Sequence, residues 1–330
     1  MAKCDIFRRF CLQFYIMNSS TIILVNSQRQ DSIPVTDRGL AFGDGVFETM
    51  LVSNTDVDLW EYHHQRLIVG LERLHIVVDL PSLYQHMLTS LEAISERQQN
   101  AQSTSEETYK GVWKLMVTRG QSQSGYMPDN NAQPTLITVY KPLSADFFDK
   151  NGRFSQQGVA VHYCRERLPT SQTLAGIKSL NQLPYVLASR ERQALDVQEG
   201  LILDNDGWLI EATARNVFMV KGRKLLTPRL NQCGVAGIMR RAIIERARHM
   251  GISVHEIEVS VIALEQSDEV FLSNSISGIW PVTECEARHW RVGTVTQQLQ
   301  QEVTRWRVED ILGSQSSSPS LSYFMSSYAP

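Results

Sequence analysis

Leu174-Ala175-Gly176-Ile177-Lys178-Ser179-Leu180-Asn181-Gln182-Leu183 places a single lysine among apolar residues, directly after a small-residue turn. An isolated lysine ordinarily stands in solvent. Partial burial disfavours the ammonium form, lowers the pKa and frees the amine as a nucleophile. Such an amine condenses with an aldehyde cofactor and then moves protons. Taken alone, the decapeptide fits a structural or solvated lysine better. The sequence on either side of it changes that balance.

Upstream, Thr21 to Asn26 and Val46 to Val52 are β-branched, apolar stretches that predict strands. Between them a polar loop through Asp31, Pro34 and Asp37 leads to Gly39, Gly43 and Gly45. Tyr62 to Leu74 has helical spacing, with Leu67, Leu71 and Leu74 on one face, and a second helix is predicted over Leu83 to Arg97. Gln98 to Thr108 is polar and predicts an exposed loop. Val112 to Thr118 and Thr135 to Tyr140 predict strands around the loop Arg119 to Asn131. Lys141 to Arg153 is a polar connector and the expected domain boundary.

Downstream, strands and helices alternate. Strands are predicted at Gly158 to His162 and Gly200 to Leu203, with a helix over Leu180 to Leu195 between them. Asp204-Asn205-Asp206-Gly207 is a hairpin turn into Trp208 to Ile210. Asn216 to Val220 and Lys224 to Leu226 flank a turn at Lys221-Gly222, a helix follows over Ile238 to Met250, and Val270 to Leu272 is a buried strand. The fold class that results is α+β or α/β. A smaller domain spans 21–140, a connector 141–156 and a larger domain 157–312. Residues 1–20 are an N-terminal extension, and the Ser-rich tail 313–330 is expected to be disordered. Translation is expected to start at Met17, because the apolar part of Met1 to Ile16 is short, is interrupted by Gln13 and lacks a small-residue cleavage site.

Composition excludes several classes. The 330 residues suffice for two modest domains around a cleft. A hydrophobic fraction of 42% and a charged fraction of 20% are those of a soluble globular protein. A net charge of -3 with no basic stripe argues against a nucleic-acid partner. Five scattered cysteines with no CxxC pair argue against a disulfide framework and a zinc site, and fit a reducing, cytoplasmic compartment. No apolar run reaches membrane-spanning length.

Four distant features are mutually consistent. Gly237-Ile238-Met239 opens a helix, offering unpaired N–H groups and a positive dipole end to a phosphate, although many helices start after glycine and bind nothing. Arg66, on the first-domain helix, either faces solvent or adds a bidentate phosphate contact. Glu211 ends an apolar strand, where it either caps a turn or keeps a pyridine nitrogen protonated. Ser273-Asn274-Ser275 follows a strand and supplies hydroxyls or simply turns the chain. His63 and His64 are adjacent on a helix and therefore diverge, so they are read as domain-surface or cofactor-proximal residues, neither ligating a metal nor catalytic.

Asp37-Arg38-Gly39-Leu40-Ala41-Phe42-Gly43-Asp44-Gly45-Val46-Phe47-Glu48-Thr49 resembles the N-terminal signature of the fold-type IV pyridoxal-phosphate enzymes. So does Glu211-Ala212-Thr213-Ala214-Arg215-Asn216-Val217-Phe218, with Gly234 to Arg240 and Asp268-Glu269-Val270-Phe271 in the expected order. This superfamily contains branched-chain aminotransferases, D-amino acid aminotransferases and aminodeoxychorismate lyases. The resemblance runs from about Ile23 to Val282. The Lys178 segment, and Arg119-Gly120 followed by Gly125-Tyr126, are most similar to the lyase branch. Two positions depart from it: Ser124 and Gln182 stand where the lyases usually have arginine.

The resemblance implies a two-domain fold of the D-amino acid aminotransferase type, a homodimer, and pyridoxal 5'-phosphate carried by Lys178. It implies that Arg66, the amides of Ile238 and Met239, and Ser275 hold the phosphate, and that Glu211 pairs with the pyridine nitrogen. It further implies conversion of 4-amino-4-deoxychorismate to 4-aminobenzoate and pyruvate for folate synthesis. Transamination of a small amino acid uses the same lysine, glutamate and arginine, and stays open as the alternative. A catalytically inactive cofactor-binding protein is the third reading.

Overall fold

The computed structural model describes residues 21–53, 56–101, 110–122, 125–129 and 131–317. The extension, Met17 and Ser124 lie outside them, as does the tail beyond Ser317.

The first half of the chain forms one antiparallel sheet. Its strands are β1 (Ile22–Val25), β2 (Gln28–Arg29), β3 (Gly45–Ser53), β4 (Asp56–Val57), β5 (Lys110–Thr118) and β6 (Thr135–Pro142). They run in the order β2-β1-β6-β5-β3-β4. Alternation fixes the faces. Along β5, Trp113, Leu115 and Val117 are buried, while Lys114 and Met116 turn the other way. Along β3, Met50 and Val52 join that core and Thr49 and Leu51 do not. The core face is closed by α2 (Trp60–Arg73), through Leu67 and Leu71, and by α3 (Leu80–Ala101), through Leu83, Met87 and Ile94. The short α1 (Arg38–Phe42) precedes them, capped by the Asp37 carboxylate on Gly39 N–H.

The second half builds a mixed nine-stranded sheet. Its strands are β7 (Val159–Leu168), β8 (Glu199–Asp204), β9 (Leu209–Ala212), β10 (Asn216–Lys221), β11 (Lys224–Pro228), β12 (Ser253–Ile257), β13 (Glu269–Asn274), β14 (Gly278–Cys285) and β15 (Arg288–His289). The order is β12-β11-β10-β13-β14-β7-β8-β9, with β15 on β14. Parallel pairs join β11 to β12, β14 to β7 and β7 to β8. Helices α6 (Ile238–His249) and α8 (Thr294–Ser317) cover one face through Ile243, Ala247 and Leu299, packed on Phe218 and Phe271. Helix α5 (Leu183–Ala194) lies on β7 and β8, and α7 (Val261–Glu265) precedes β13.

Four expectations need correction. Gln98 to Ala101, expected in an exposed loop, belong to α3 with Gln98 buried, and residues 102–108 of that expected loop lie outside the described residues. The polar stretch 141–156 is not merely a connector, because Ala145–Gln157 forms helix α4, capped by Ser144. The first helix of the larger half starts at Leu183, since Leu180 is tied to Gly45. The expected disorder from Gly313 fails as far as Ser317, where α8 continues. No helix among the described residues is long and apolar enough to cross a membrane.

Candidate active site

The Lys178 segment is suspended between the two sheets. On one side Phe47 N–H donates to Lys178 O (2.9 Å) and Leu180 N–H to Gly45 O (2.9 Å). On the other, Gly176 N–H donates to Gly234 O (2.8 Å) and Ala236 N–H to Gly176 O (3.0 Å). Gly176 has φ +81°, a conformation glycine adopts without strain, and it turns the chain so that both sets of bonds form. Helix α2 adds two side-chain ties, Arg73 Nη1 to Ala175 O (2.5 Å) and Arg66 Nη1 to Ala236 O (3.1 Å). Burial and the nearby guanidinium of Arg66 bring the Lys178 pKa down to about 8, opposed by Glu48 and Glu211. The amine lies 4.4 Å from the Phe47 ring centroid.

Lys178 opens into a cavity of about 240 Å³. Arg66, Glu211, Ile238 and Ser275 line it as well. Met239 does not; its side chain is fully buried in the core under α6, and only its N–H is offered at the helix start. The first intrahelical bond of α6 runs from Arg241 N–H to Gly237 O (3.0 Å), so the amides of Ile238 and Met239 precede it. A Cβ at Gly237 would lie 1.9 Å from Asn216 Oδ1, so any side chain there would displace the carboxamide that donates to Glu211.

Arg66 is oriented by a buried carboxylate. Its Nε donates to Glu48 Oε1 (2.8 Å) and its Nη2 to Glu48 Oε2 (2.6 Å). Burial alone would raise the pKa of Glu48, but the charge and hydrogen bonds of Arg66, followed by those of His63, bring it down to about 2. His63 Nδ1 lies 2.6 Å from Glu48 Oε2, and burial lowers the His63 pKa. The surface reading of His63 is thereby corrected. It is fully buried, on the stripe of α2 that carries Leu67, Gly70 and Leu71, and its carboxylate partner comes from β3. His64 turns instead to Tyr84 Oη (2.9 Å). No cluster of metal-ligand type occurs among the described residues.

Glu211 sits in a different environment. Tyr185 Oη (2.5 Å) and Val235 N–H (3.0 Å) donate to Oε1, and Asn216 Nδ2 (3.1 Å) donates to Oε2. Burial raises its pKa to about 7; the hydrogen bonds of Tyr185 and Val235 and the charges of Lys178 and Arg240 offset only part of that penalty. A buried carboxyl supplied only with neutral donors is stabilised as an anion when a cation is set against it.

Ser275 Oγ donates to Thr49 O (3.2 Å), whereas Ser273 Oγ is buried without a partner on the same wall. Ser273 was one of the hydroxyl donors expected from sequence, whereas the roles of Tyr185 and Asn216 and the Glu48–His63 pair were not identified there. The readable signal was the position of His63, four residues before Leu67 on the apolar stripe. Gln182 lines the cavity, with its amide donating to Ser179 O (2.9 Å). The loop holding Gly125 and Tyr126 is clamped by Arg38, whose guanidinium donates to both carbonyls (2.9 and 3.0 Å).

These residues fit pyridoxal phosphate: a depressed amine for the aldehyde, free helix-start amides for the phosphate, an orphaned buried hydroxyl, and a carboxyl awaiting a cation. The comparisons agree. The model of the class IV amino-transferase family matches residues 45–285. An aminodeoxychorismate lyase from Vibrio harveyi is 29% identical over 281 residues, 84% of this chain and 97% of that one. The crystal structure of 4-amino-4-deoxychorismate lyase from Pseudomonas aeruginosa has 38% identity and a TM-score of 0.77, covering 86% of this chain and 98% of that one. A hypothetical aminotransferase from Mycobacterium tuberculosis, in its PLP-bound form, shares the fold at 20% identity and a TM-score of 0.71, covering 88% and 99%.

Proposed function

The chain belongs to the class IV aminotransferase family, whose cofactor is pyridoxal phosphate, and we propose that it is the lyase that splits 4-amino-4-deoxychorismate into 4-aminobenzoate and pyruvate. The choice of reaction is carried by the similarity to the Pseudomonas lyase over nearly the whole chain. The geometry supplies the parts that the reaction needs.

In this proposal Arg66, the N–H groups of Ile238 and Met239, and Ser275 hold the phosphate. Lys178 would hold the aldehyde carbon until the substrate's amine takes its place there and frees Nζ, and Glu211 would take the ring nitrogen. Bound there, the cofactor supplies an electron sink for the carbon that bears the substrate's amine. Lys178 Nζ takes the proton from that carbon and returns one to the departing enolpyruvyl group. A pKa near 8 suits both transfers, because neither protonation state is far from populated near neutrality. Glu211, charged against the ring nitrogen, keeps that nitrogen protonated. Tyr185 and Asn216 orient the carboxylate. Glu48 fixes the plane of the Arg66 guanidinium, so phosphate meets a prepaid geometry. The substrate's atoms divide completely between the two products, so no water and no oxidant enters.

We further propose that 21–140 and 157–312 act as two domains joined by 141–156, in a cytoplasmic homodimer without nucleic-acid or membrane partners. Sedimentation tests the dimer. The deciding experiment for function incubates cofactor-loaded protein with enzymatically generated aminodeoxychorismate. Equal, cofactor-dependent yields of 4-aminobenzoate and pyruvate are expected. Neither product, from protein that still reacts with amino acids, would replace the lyase with an aminotransferase and make Ser124 and Gln182 the first residues to exchange.

A further inference from the structure

Two of the phosphate-holding residues come from different halves of the molecule. Arg66 stands on α2, and Ser275 in the turn between β13 and β14. The start of α2 is unusual. Leu59 occupies its N-cap with φ +55°, in the left-handed region, and makes no side-chain cap. A leucine adopts that conformation only where its surroundings hold it there. They do: Leu59 is buried in the larger half's core with Phe218, Ile243 and Leu299, and Tyr62 packs on the same cluster. Tyr62 Oη donates to Glu245 of α6 (2.5 Å), and the ring of Trp306 on α8 meets it edge-on at 6.0 Å. Helix α2 is therefore a strut. Its first turn is anchored in the larger half, and its later turns, through Leu67 and Leu71, in the smaller.

Arg307 of α8 joins the foot of this strut to the Ser275 turn. Its guanidinium donates to both carboxylate oxygens of Asp58, the residue before Leu59, with Nε 3.3 Å from Oδ1. Nη2 also donates to Ser275 O (3.3 Å). The side chains of Arg307 and Asp58 are only 18% and 9% exposed, so water competes little for the pair. The turn is stiffened from its other end, where Asn274 Oδ1 accepts from the N–H groups of Ile276 and Ser277 (3.1 and 2.8 Å). One planar fork thus grips the element that carries Arg66 and the element that carries Ser275. Arg307 itself lines a neighbouring cavity of about 360 Å³ and not the one that holds Lys178.

We propose that Arg307 is a positioning residue for the cofactor's phosphate, setting the separation of Arg66 from Ser275 without touching the phosphate. The inference rests on the assignment of the phosphate to those two residues. Its loss should therefore cost affinity for the phosphate group in particular, not for the ring or the aldehyde.

The test titrates cofactor-free, full-length protein with pyridoxal 5'-phosphate and with pyridoxal, which lacks the phosphate, and reads both Kd values from absorbance. Wild type should strongly prefer the phosphate ester, and Arg66→Ala should remove most of that preference. Arg307→Gln should raise the pyridoxal phosphate Kd by about 10-fold or more, as loss of a group that orients a ligand's holders commonly does, and should leave the pyridoxal Kd nearly in place. Asp58→Asn should do the same, and the double variant should add little to either single change. Arg307→Lys keeps the charge but not the fork and should restore part of the loss. At saturating cofactor, kcat should change far less than the Kd. Equal weakening of both ligands, the mark of a generally loosened fold, would overturn the proposal, as would an unchanged preference in Arg307→Gln and Asp58→Asn. A preference that survives Arg66→Ala would instead defeat the phosphate assignment itself.

Discussion

Glu48 and Glu211 are both buried carboxylates that act on Lys178, yet their pKa values lie near 2 and near 7. Burial penalises both. Glu48 receives a guanidinium in bidentate register and an imidazole. Glu211 receives a phenol, an amide N–H and a carboxamide, all neutral. Hydrogen bonds alone do not replace a missing positive charge in a desolvated site. The first carboxylate is complete within the protein and serves to hold an arginine still. In the proposed reaction, the second is completed when a cationic ring nitrogen arrives.

The largest effect tests the group that both carboxylates face. Lys178→Ala should lower kcat by more than about 10⁴-fold, since nucleophile and proton carrier are lost together, and it should remove the visible absorbance of the lysine-bound cofactor. Retained turnover would break the whole assignment. Glu211→Gln keeps the shape and the acceptor but never takes a negative charge. A fall in kcat of about 10²- to 10³-fold is expected in steady-state assays, with the cofactor still bound. An unchanged kcat would show that Glu211 is complete without a partner, as Glu48 is.

Glu48→Gln should behave differently. It leaves Arg66 and His63 without their anion in a buried site, at a cost of about 3 kcal/mol, read as a loss of several degrees in Tm. Cofactor titration of the same variant should show weakened affinity through the loosened arginine. A variant that lost kcat but kept Tm and cofactor affinity would place Glu48 in the chemistry instead.

The pH dependence of stability should have opposite signs at the two sites. In cofactor-free protein, Glu211 keeps a proton up to about pH 7 that the unfolded chain loses near 4.5. Its contribution therefore makes stability fall as pH rises through that window. Glu48, held near 2, stabilises above 4.5, and that contribution is lost as pH falls toward 2. Thermal unfolding of wild type minus Glu211→Gln across pH 4.5 to 7 should isolate the first slope, and pyridoxal phosphate should abolish it. The smallest effect is expected for Tyr185→Phe, which removes one neutral donor: about a tenfold loss in kcat or less.

Strands such as Val112 to Thr118 were legible because β-branched runs and alternation leave a period of two, whereas β12 and the central β14, Gly278–Cys285, were not read. Helix α4 was hidden: its apolar Phe147, Phe148 and Phe154 share 13 residues with Asn151 and Gly152, and none of the 13 is buried. Lys178, Arg66 and Glu211 were found through ordered motifs and do meet at one cavity. What the motifs could not convey was who partners whom. Glu48 finds Arg66 18 positions away, and Tyr185 finds Glu211 26 positions away, across elements whose docking no local pattern records. The burial of His63 was readable from its place on the α2 stripe, but its partner was not, because Glu48 comes from the strand opposite.

The four backbone bonds that suspend Lys178 tie residues 45 and 47 to residues 234 and 236 through a single short segment. The two halves cannot part there without breaking one of the two pairs of bonds, and the segment stays with whichever half keeps its pair. Amide protons should therefore exchange with solvent deuterium in two sets, Phe47 with Leu180 and Gly176 with Ala236, and the faster set identifies the half that lets go.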